Sequence, residues 1–267
     1  MDTTEIIREY YNSTVESEWR RIENRPEFLL TRRMLDRHIK PGDSVLDIGG
    51  GPGRYSLYFA ERGCDVTLLD LSPENVKFAF EKAKELKLSL KAVAGDARFC
   101  EKSVSGKFDH VLLMGPLYHL LEESGRVQAV RSALGLLKLG GTLSASFINT
   151  FAGIIYLMTE APQLVSDPTE TIFQEKYFTG KSFASDAFTK AYFANQNEIL
   201  PFMSQFPLEK LHFFAQEGVL SPCEQNIMSQ PPEIVELWLD FCEKTCEREE
   251  LLSWGEHLMY VGRKIGE

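Results

Sequence analysis

Val45-Leu46-Asp47-Ile48-Gly49-Gly50-Gly51-Pro52-Gly53 is the stretch on which the reading of this chain turns. Val45 to Ile48 is a short apolar run interrupted by one acid, fit for a buried parallel strand. It breaks into a glycine turn, and Tyr55-Ser56-Leu57-Tyr58-Phe59-Ala60 then reads as the start of a helix. A strand, a glycine turn and a helix N-terminus together make a place where backbone can approach a ligand closely. Asp47, two residues before the first glycine, narrows the ligand. A loop built for a pyrophosphate gains nothing from a carboxylate there, whereas a cationic ligand does.

Outward from this turn, apolar periodicity alternates between strand and helix. Residues 3–23 and 26–40 are expected to be helical, the second with Leu29, Leu30, Met34, Leu35 and Ile39 on one face and Pro41-Gly42 as its stop. Strands are expected at 44–48, 66–69, 89–94, 108–114 and 142–148. Between them fall a helix running to Arg62-Gly63, a helix capped by Ser72-Pro73-Glu74, and a helix over 124–138 that ends at Gly140-Gly141. The Ser72-capped helix carries Val76, Ala79, Phe80, Ala83 and Leu86 at its period. This alternation implies a doubly wound, mostly parallel α/β sheet. Such sheets bind ligands at the carboxyl ends of their strands. The unusual residues fall there: the glycines after the first strand, Asp70 after the second, Asp96 after the third, and Met114 to His119 after the fourth.

Past residue 150 the rhythm breaks. Residues 150–206 are dense in Phe and Tyr and read as a mostly helical insertion capping the ligand edge. Strands follow at 208–215 and 257–262, with a helix over 231–252 carrying Ile234, Leu237, Trp238, Phe241 and Cys242 on one face. The whole chain, 1–267, is expected to form one domain, with N-terminal helices over 1–40.

The 267 residues hold 29 Lys and Arg against 39 Asp and Glu, a net charge of −10. That balance disfavours a nucleic-acid backbone binder. Five cysteines without a C-x-x-C pair read as reduced thiols. The polar, acidic N-terminus does not read as a signal peptide, and no stretch reaches the ~18 apolar residues of a membrane span. A cytoplasmic protein is the expectation.

On these residues the chain resembles the class I S-adenosylmethionine-dependent methyltransferases. Asp47-x-Gly49-x-Gly51-x-Gly53 is similar to the family's first motif. Asp70 matches its ribose-binding acid, Gly95-Asp96-Ala97 its adenine-contacting turn, and Leu139-Gly140-Gly141 the turn before its fifth strand. The resemblance spans roughly residues 25–150 and the last strands from about 208; the insertion carries no family motif. It implies S-adenosylmethionine as cofactor, a seven-stranded sheet with an antiparallel last strand beside the fifth, and cofactor contacts from Asp47, Gly49, Gly51, Gly53, Asp70, Leu71, Asp96, Ala97 and Met114. Physical reasons accompany these roles. Gly51 and Gly53 let backbone pass close to the ligand, and Asp70 can accept from two ribose hydroxyls.

Methyl transfer needs positioning and desolvation, and a base only where the acceptor must lose a proton. His119, just past the fourth strand, is the candidate general base, with pocket shaping as its alternative. Tyr118 and Tyr11 are candidate acceptor-site residues, and Tyr10 and Trp19 can close the same side. His38, His212 and His257 show no ligand spacing, and no metal is expected. The Asp/Asn-Pro-Pro-aromatic signature of amino-methylating DNA enzymes and the Pro-Cys of cytosine-C5 enzymes are both absent after the fourth strand. A nicotinamide oxidoreductase would want glycine where Arg54 stands.

The leading expectation is therefore methyl transfer to O or N of a small organic molecule. The alternatives are methylation of an RNA base or nucleoside, and a non-catalytic cofactor-binding partner protein. The acceptor, the methylated atom and the oligomeric state stay open at this level.

Overall fold

The structure, a computed structural model, describes residues 2–266. Three helices come first: α1 (Thr3–Ser13), α2 (Val15–Arg21) and α3 (Pro26–Leu35). The alternating core follows as β1 (Ser44–Ile48), α4 (Arg54–Glu61), β2 (Asp65–Asp70), α5 (Pro73–Glu85), β3 (Lys91–Ala94), β4 (Phe108–Leu113), α6 (Glu123–Leu136) and β5 (Leu137–Asn149). The insertion contributes α7 (Ala152–Thr159), α8 (Thr171–Phe178), β6 (Phe183–Asp186), β7 (Lys190–Ala194) and α9 (Gln196–Met203). The chain closes with β8 (Leu208–Ala215), α10 (Glu224–Met228), α11 (Pro232–Thr245) and β9 (His257–Lys264).

Strands β3, β2, β1, β4 and β5 are adjacent in that order and parallel. β9 lies antiparallel between β5 and β8. These seven strands are the sheet the resemblance implies. Side chains alternate across it with the strand period of two. Leu46, Ile48, Leu69, Val111 and Leu113 pack on one face, with α6. Val45, Val66, Leu68 and Leu112 pack on the other, with α3, α4, α5 and α11. Burial on both faces is why the strand sequences are nearly continuous apolar runs.

Two strands more than expected come from the insertion, which is otherwise helical as expected. β6 and β7 form an antiparallel hairpin in which Phe183 and Phe193 stack with ring centroids 5.2 Å apart. β7 pairs in parallel with Ile148 and Asn149 of β5. That edge of β5 is free because its pairing with β4 stops at Ala145. The hairpin therefore sits just beyond the end of β4, above the 116–118 turn.

Two helix faces also differ from the sequence expectation. In α11 only Cys242 of the expected stripe is buried, with Val235 and Leu239, while Leu237 is 64 % exposed and Ile234, Trp238 and Phe241 also face outward. In α5 the buried face is Asn75, Ala79 and Ala83, and Phe80 and Leu86 are exposed. Among the described residues no helix is long and apolar enough to cross a membrane.

Candidate active site

A cavity of about 470 Å³ opens at the carboxyl ends of β1 to β4. Its lining contains nearly every residue singled out in the sequence: Asp47, Gly49, Gly51, Asp70, Leu71, Asp96, Ala97, Met114, Tyr118, His119 and Tyr11.

The glycine loop divides by what each missing side chain would meet. A Cβ on Gly49 would clash with the Pro116 ring, and one on Gly50 would lie 2.6 Å from Asp47 Oδ2. Gly51, at φ +56°, has nothing within 4 Å of the Cβ position and faces open space. Gly53 does not line the cavity; at φ +90° it packs against α5, where a Cβ would come 2.9 Å from Ala79 Cβ. Its glycine thus has a packing reason that motif spacing does not disclose.

Asp47 is 2 % exposed and accepts from Ser56 Oγ at 2.7 Å, tying the end of β1 to α4. Burial, with the Asp70 charge adding to it, pushes its carboxyl up to about 6. Asp70 accepts the Gly51 N–H on Oδ2 at 2.8 Å. Its Oδ1 accepts the Ser72 N–H at 2.8 Å and Asn75 Nδ2 at 3.2 Å. Burial outweighs these bonds and raises its pKa. Asp96 accepts the Arg98 backbone N–H at 2.9 Å and both of its oxygens accept from Arg98 Nε, at 3.0 and 3.1 Å. Burial alone would raise the Asp96 carboxyl, but Arg98 holds it below the usual range.

The wall facing the sheet is built by the N-terminal helices. Asp2, Thr3, Thr4, Ile7, Tyr11, Glu18, Arg21 and Ile22 line it. Three contacts hold that wall: Arg98 Nη2 donates to Thr4 Oγ1 at 3.2 Å, Ser72 Oγ donates to Asn12 Oδ1 at 2.6 Å, and Tyr11 meets His119. Arg54 covers the Trp19 ring at 3.4 Å and donates to the Trp19 carbonyl. Among the described residues no side chain of 150–206 lines the cavity, so the expected aromatic cap is not what closes it. The Phe173 side chain lies outside the described residues. The insertion reaches the site from behind, through the Lys190 carbonyl and the Phe188 ring, 5.9 Å from the His119 ring.

His119 is 8 % exposed. Its Nδ1 is 3.1 Å from the Lys190 carbonyl oxygen and its Nε2 is 2.6 Å from the Tyr11 hydroxyl. Burial drives its pKa down to about 4. Both ring nitrogens are thus engaged and the ring is neutral. The loop carrying it is fixed by Arg126, which is 5 % exposed and donates from Nη1 to the carbonyls of Leu120 and Leu121, each at 2.7 Å. The Arg126 guanidinium lies 3.6 Å from the centroid of the Tyr192 ring of β7.

A charged cluster that sequence reading missed stands on the far side of the cavity. Arg21 Nε and Nη1 donate to Glu18 and Glu27, each at 3.0 Å. Glu27, Glu217 and His257 offer polar atoms within 4.8 Å of one another. His257 Nδ1 donates to Glu217 Oε1 at 2.7 Å. Burial opposes the imidazolium, but Glu27 and Glu217 outweigh it and hold its pKa up to about 9. With Arg21 and His257 both cationic, these groups form an ion-pair network. The only sequence signal for it was Glu18-Trp19-Arg20-Arg21, which reads equally well as a solvated helix face.

The residues present fit an adenosylated amino acid. The cavity volume suits one, the space over Gly51 is what a Cβ would fill, and Asp70 Oδ2 keeps a lone pair beyond its bond to Gly51. Residues 45–141 match the family model described as a methyltransferase domain. Over the same region the chain is 34 % identical, across 112 residues, to the glycine/sarcosine N-methyltransferase of Parasynechococcus marenigrum, covering 42 % of this chain and 39 % of that protein. It is 35 % identical across 109 residues to the ubiquinone biosynthesis O-methyltransferase of Xanthomonas campestris, covering 41 % and 44 %. The match thus spans about two fifths of the length of these relatives. Solved structures align over far more of the chain. The magnesium protoporphyrin IX methyltransferase of Synechocystis, with bound S-adenosylhomocysteine, superposes with TM-score 0.60 at 17 % identity, over 98 % of this chain and 100 % of that one. The 1,6-didemethyltoxoflavin-N1-methyltransferase of Burkholderia thailandensis gives TM-score 0.60 at 16 % identity, over 98 % and 88 %. This chain has the class I S-adenosylmethionine-dependent methyltransferase fold.

Proposed function

We propose that the chain transfers a methyl group from S-adenosylmethionine to a nitrogen or oxygen atom of a small organic molecule. The observation that carries this is the single cavity in which the glycine loop, Asp70 and Asp96 meet Tyr11, Tyr118 and His119. Relatives named as N- and O-methyltransferases of small molecules support the class of acceptor.

In this proposal Asp70 holds the ribose hydroxyls, Asp96 and the Ala97 N–H hold the adenine edge, and the backbone over Gly49 and Gly51 passes the methionyl part. Asp47 favours a cation beside the loop. When bound, the cofactor supplies an electrophilic methyl group on a good leaving group. The chain's own contribution is to orient, and to exclude water behind α1 and α2. His119, neutral and bonded on both sides, holds Tyr11 in place. The five cysteines, all free and four of them buried, fit a reducing cytoplasm.

The test combines calorimetric titration of S-adenosylhomocysteine with radiolabelled methyl transfer to a panel of amines, phenols and carboxylic acids. Cofactor affinity and a labelled small-molecule product are expected. A folded protein that does not bind S-adenosylhomocysteine would refute the proposal.

A further inference from the structure

A three-member chain of hydrogen bonds at the cavity wall has a fixed polarity. The Lys190 carbonyl oxygen can only accept, so His119 Nδ1, 3.1 Å away, carries the hydrogen. A neutral imidazole has one N–H, so Nε2 presents a lone pair. The Tyr11 hydroxyl, 2.6 Å from Nε2, must therefore donate its proton there. The low His119 pKa keeps the ring neutral at pH 7. Among the described residues no other hydrogen bond engages Tyr11 Oη, and Tyr11 lines the cavity. With its proton given to His119, the Tyr11 oxygen has only lone pairs left to offer and no hydrogen.

We propose that Tyr11 orients the methyl-accepting atom and that the fixed Lys190–His119–Tyr11 polarity selects an amine nitrogen bearing at least one hydrogen. This rests on the methyltransferase reading above. An N–H donated to Tyr11 Oη leaves the nitrogen lone pair free and aimed elsewhere. A tertiary amine has no hydrogen to offer, and a carboxylate would set oxygen lone pairs against oxygen lone pairs. A phenol or alcohol would have to surrender its proton. His119 is the one histidine among the described lining residues, and its Nε2 is already occupied by Tyr11. An amine needs no base during transfer. Its lone pair forms the new N–C bond, the S–C pair stays on sulfur, and the proton leaves the ammonium product for water afterwards.

The test does not require the natural acceptor. Sinefungin carries an amine where S-adenosylmethionine carries its methyl-bearing sulfonium, and S-adenosylhomocysteine carries neither. At pH 7 the wild-type protein is expected to bind sinefungin about tenfold more tightly than S-adenosylhomocysteine. Tyr11→Phe should erase that preference; both affinities are read in the same variant, so any general loss from the missing Tyr11–His119 contact cancels in their ratio. As a second measurement, nitrogen-15 spectra of histidine-labelled wild-type protein should show His119 protonated at Nδ1 and bare at Nε2. An equal sinefungin preference in wild type and a folded Tyr11→Phe overturns the inference, as does a His119 tautomer protonated at Nε2. If neither ligand binds the wild type, the methyltransferase reading fails first and the inference falls with it.

Discussion

The Gly51 backbone N–H donates to Asp70 Oδ2 at 2.8 Å, so the glycine loop after β1 is locked to the acid that ends β2. One bond joins two elements nineteen residues apart. It sets the loop over the cavity and also holds the carboxylate in place. Removing the carboxylate should therefore act on binding and on stability together.

Asp70→Ala should weaken S-adenosylhomocysteine binding by about 1.5–3 kcal/mol, the loss expected for charge-assisted hydrogen bonds. It also leaves the Gly51 and Ser72 N–H groups and the Asn75 amide without their acceptor, so a lower melting temperature should accompany it. Calorimetric titration of the folded variant decides; unchanged affinity removes Asp70 from the cofactor site.

The loop glycines should separate into two behaviours. Gly51→Val points into open space, so the sheet should survive with a backbone strain of about 1–2 kcal/mol, while cofactor binding is lost. Gly50→Ala collides with Asp47 Oδ2 and should lower stability by about 1–3 kcal/mol. Circular dichroism melts beside ligand titrations check both. Normal binding by Gly51→Val would make that glycine a turn residue only.

Asp47 links cofactor binding to pH. Its folded pKa of about 6 lies above the ordinary carboxylate value, because the buried charge is disfavoured. The group therefore costs stability progressively as pH rises from the ordinary value through about 6. A bound cation beside it favours the charged form. Affinity for S-adenosylhomocysteine should fall as pH drops below 6, and binding at pH 6 should release protons. Calorimetry in two buffers of different ionisation enthalpy reads that release. Asp47→Asn should abolish it.

His257 works in the opposite sense. Its folded pKa of about 9 is raised by Glu27 and Glu217. The stability it contributes is fully present below its ordinary value near 6.5 and is lost as pH rises through about 9. The loss should be on the order of 2–3 kcal/mol. Urea unfolding at pH 6.5 and 9.5, compared with His257→Gln, isolates it. Equal pH slopes in the two proteins would show that the imidazolium is not held.

Local patterns determined the sheet and one half of the site. Apolar runs of four to six residues alternating with helical stripes announce a parallel doubly wound sheet. Its topology then brings Gly51, Asp70, Asp96 and Met114 to one edge whatever the rest of the chain does. The other half came from tertiary structure. Glu18 and Arg21 lie on α2, which buries no residue of its own, and only the docking of α1 and α2 over the strand ends turns that polar face inward. The hairpin 183–194 docks because β5 outruns β4 by residues 146–149 and offers Ile148 and Asn149 as an open edge, which no local pattern records. The α11 stripe shows the same limit from the other side. Periodicity at Ile234, Leu237, Trp238 and Phe241 marks an apolar face, but which face a helix buries depends on what packs against it, and here Val235, Leu239 and Cys242 meet the core. Residue pattern carries information over one or two helical turns, whereas a cavity wall is made by segments a hundred residues apart, as Tyr11 and His119 are.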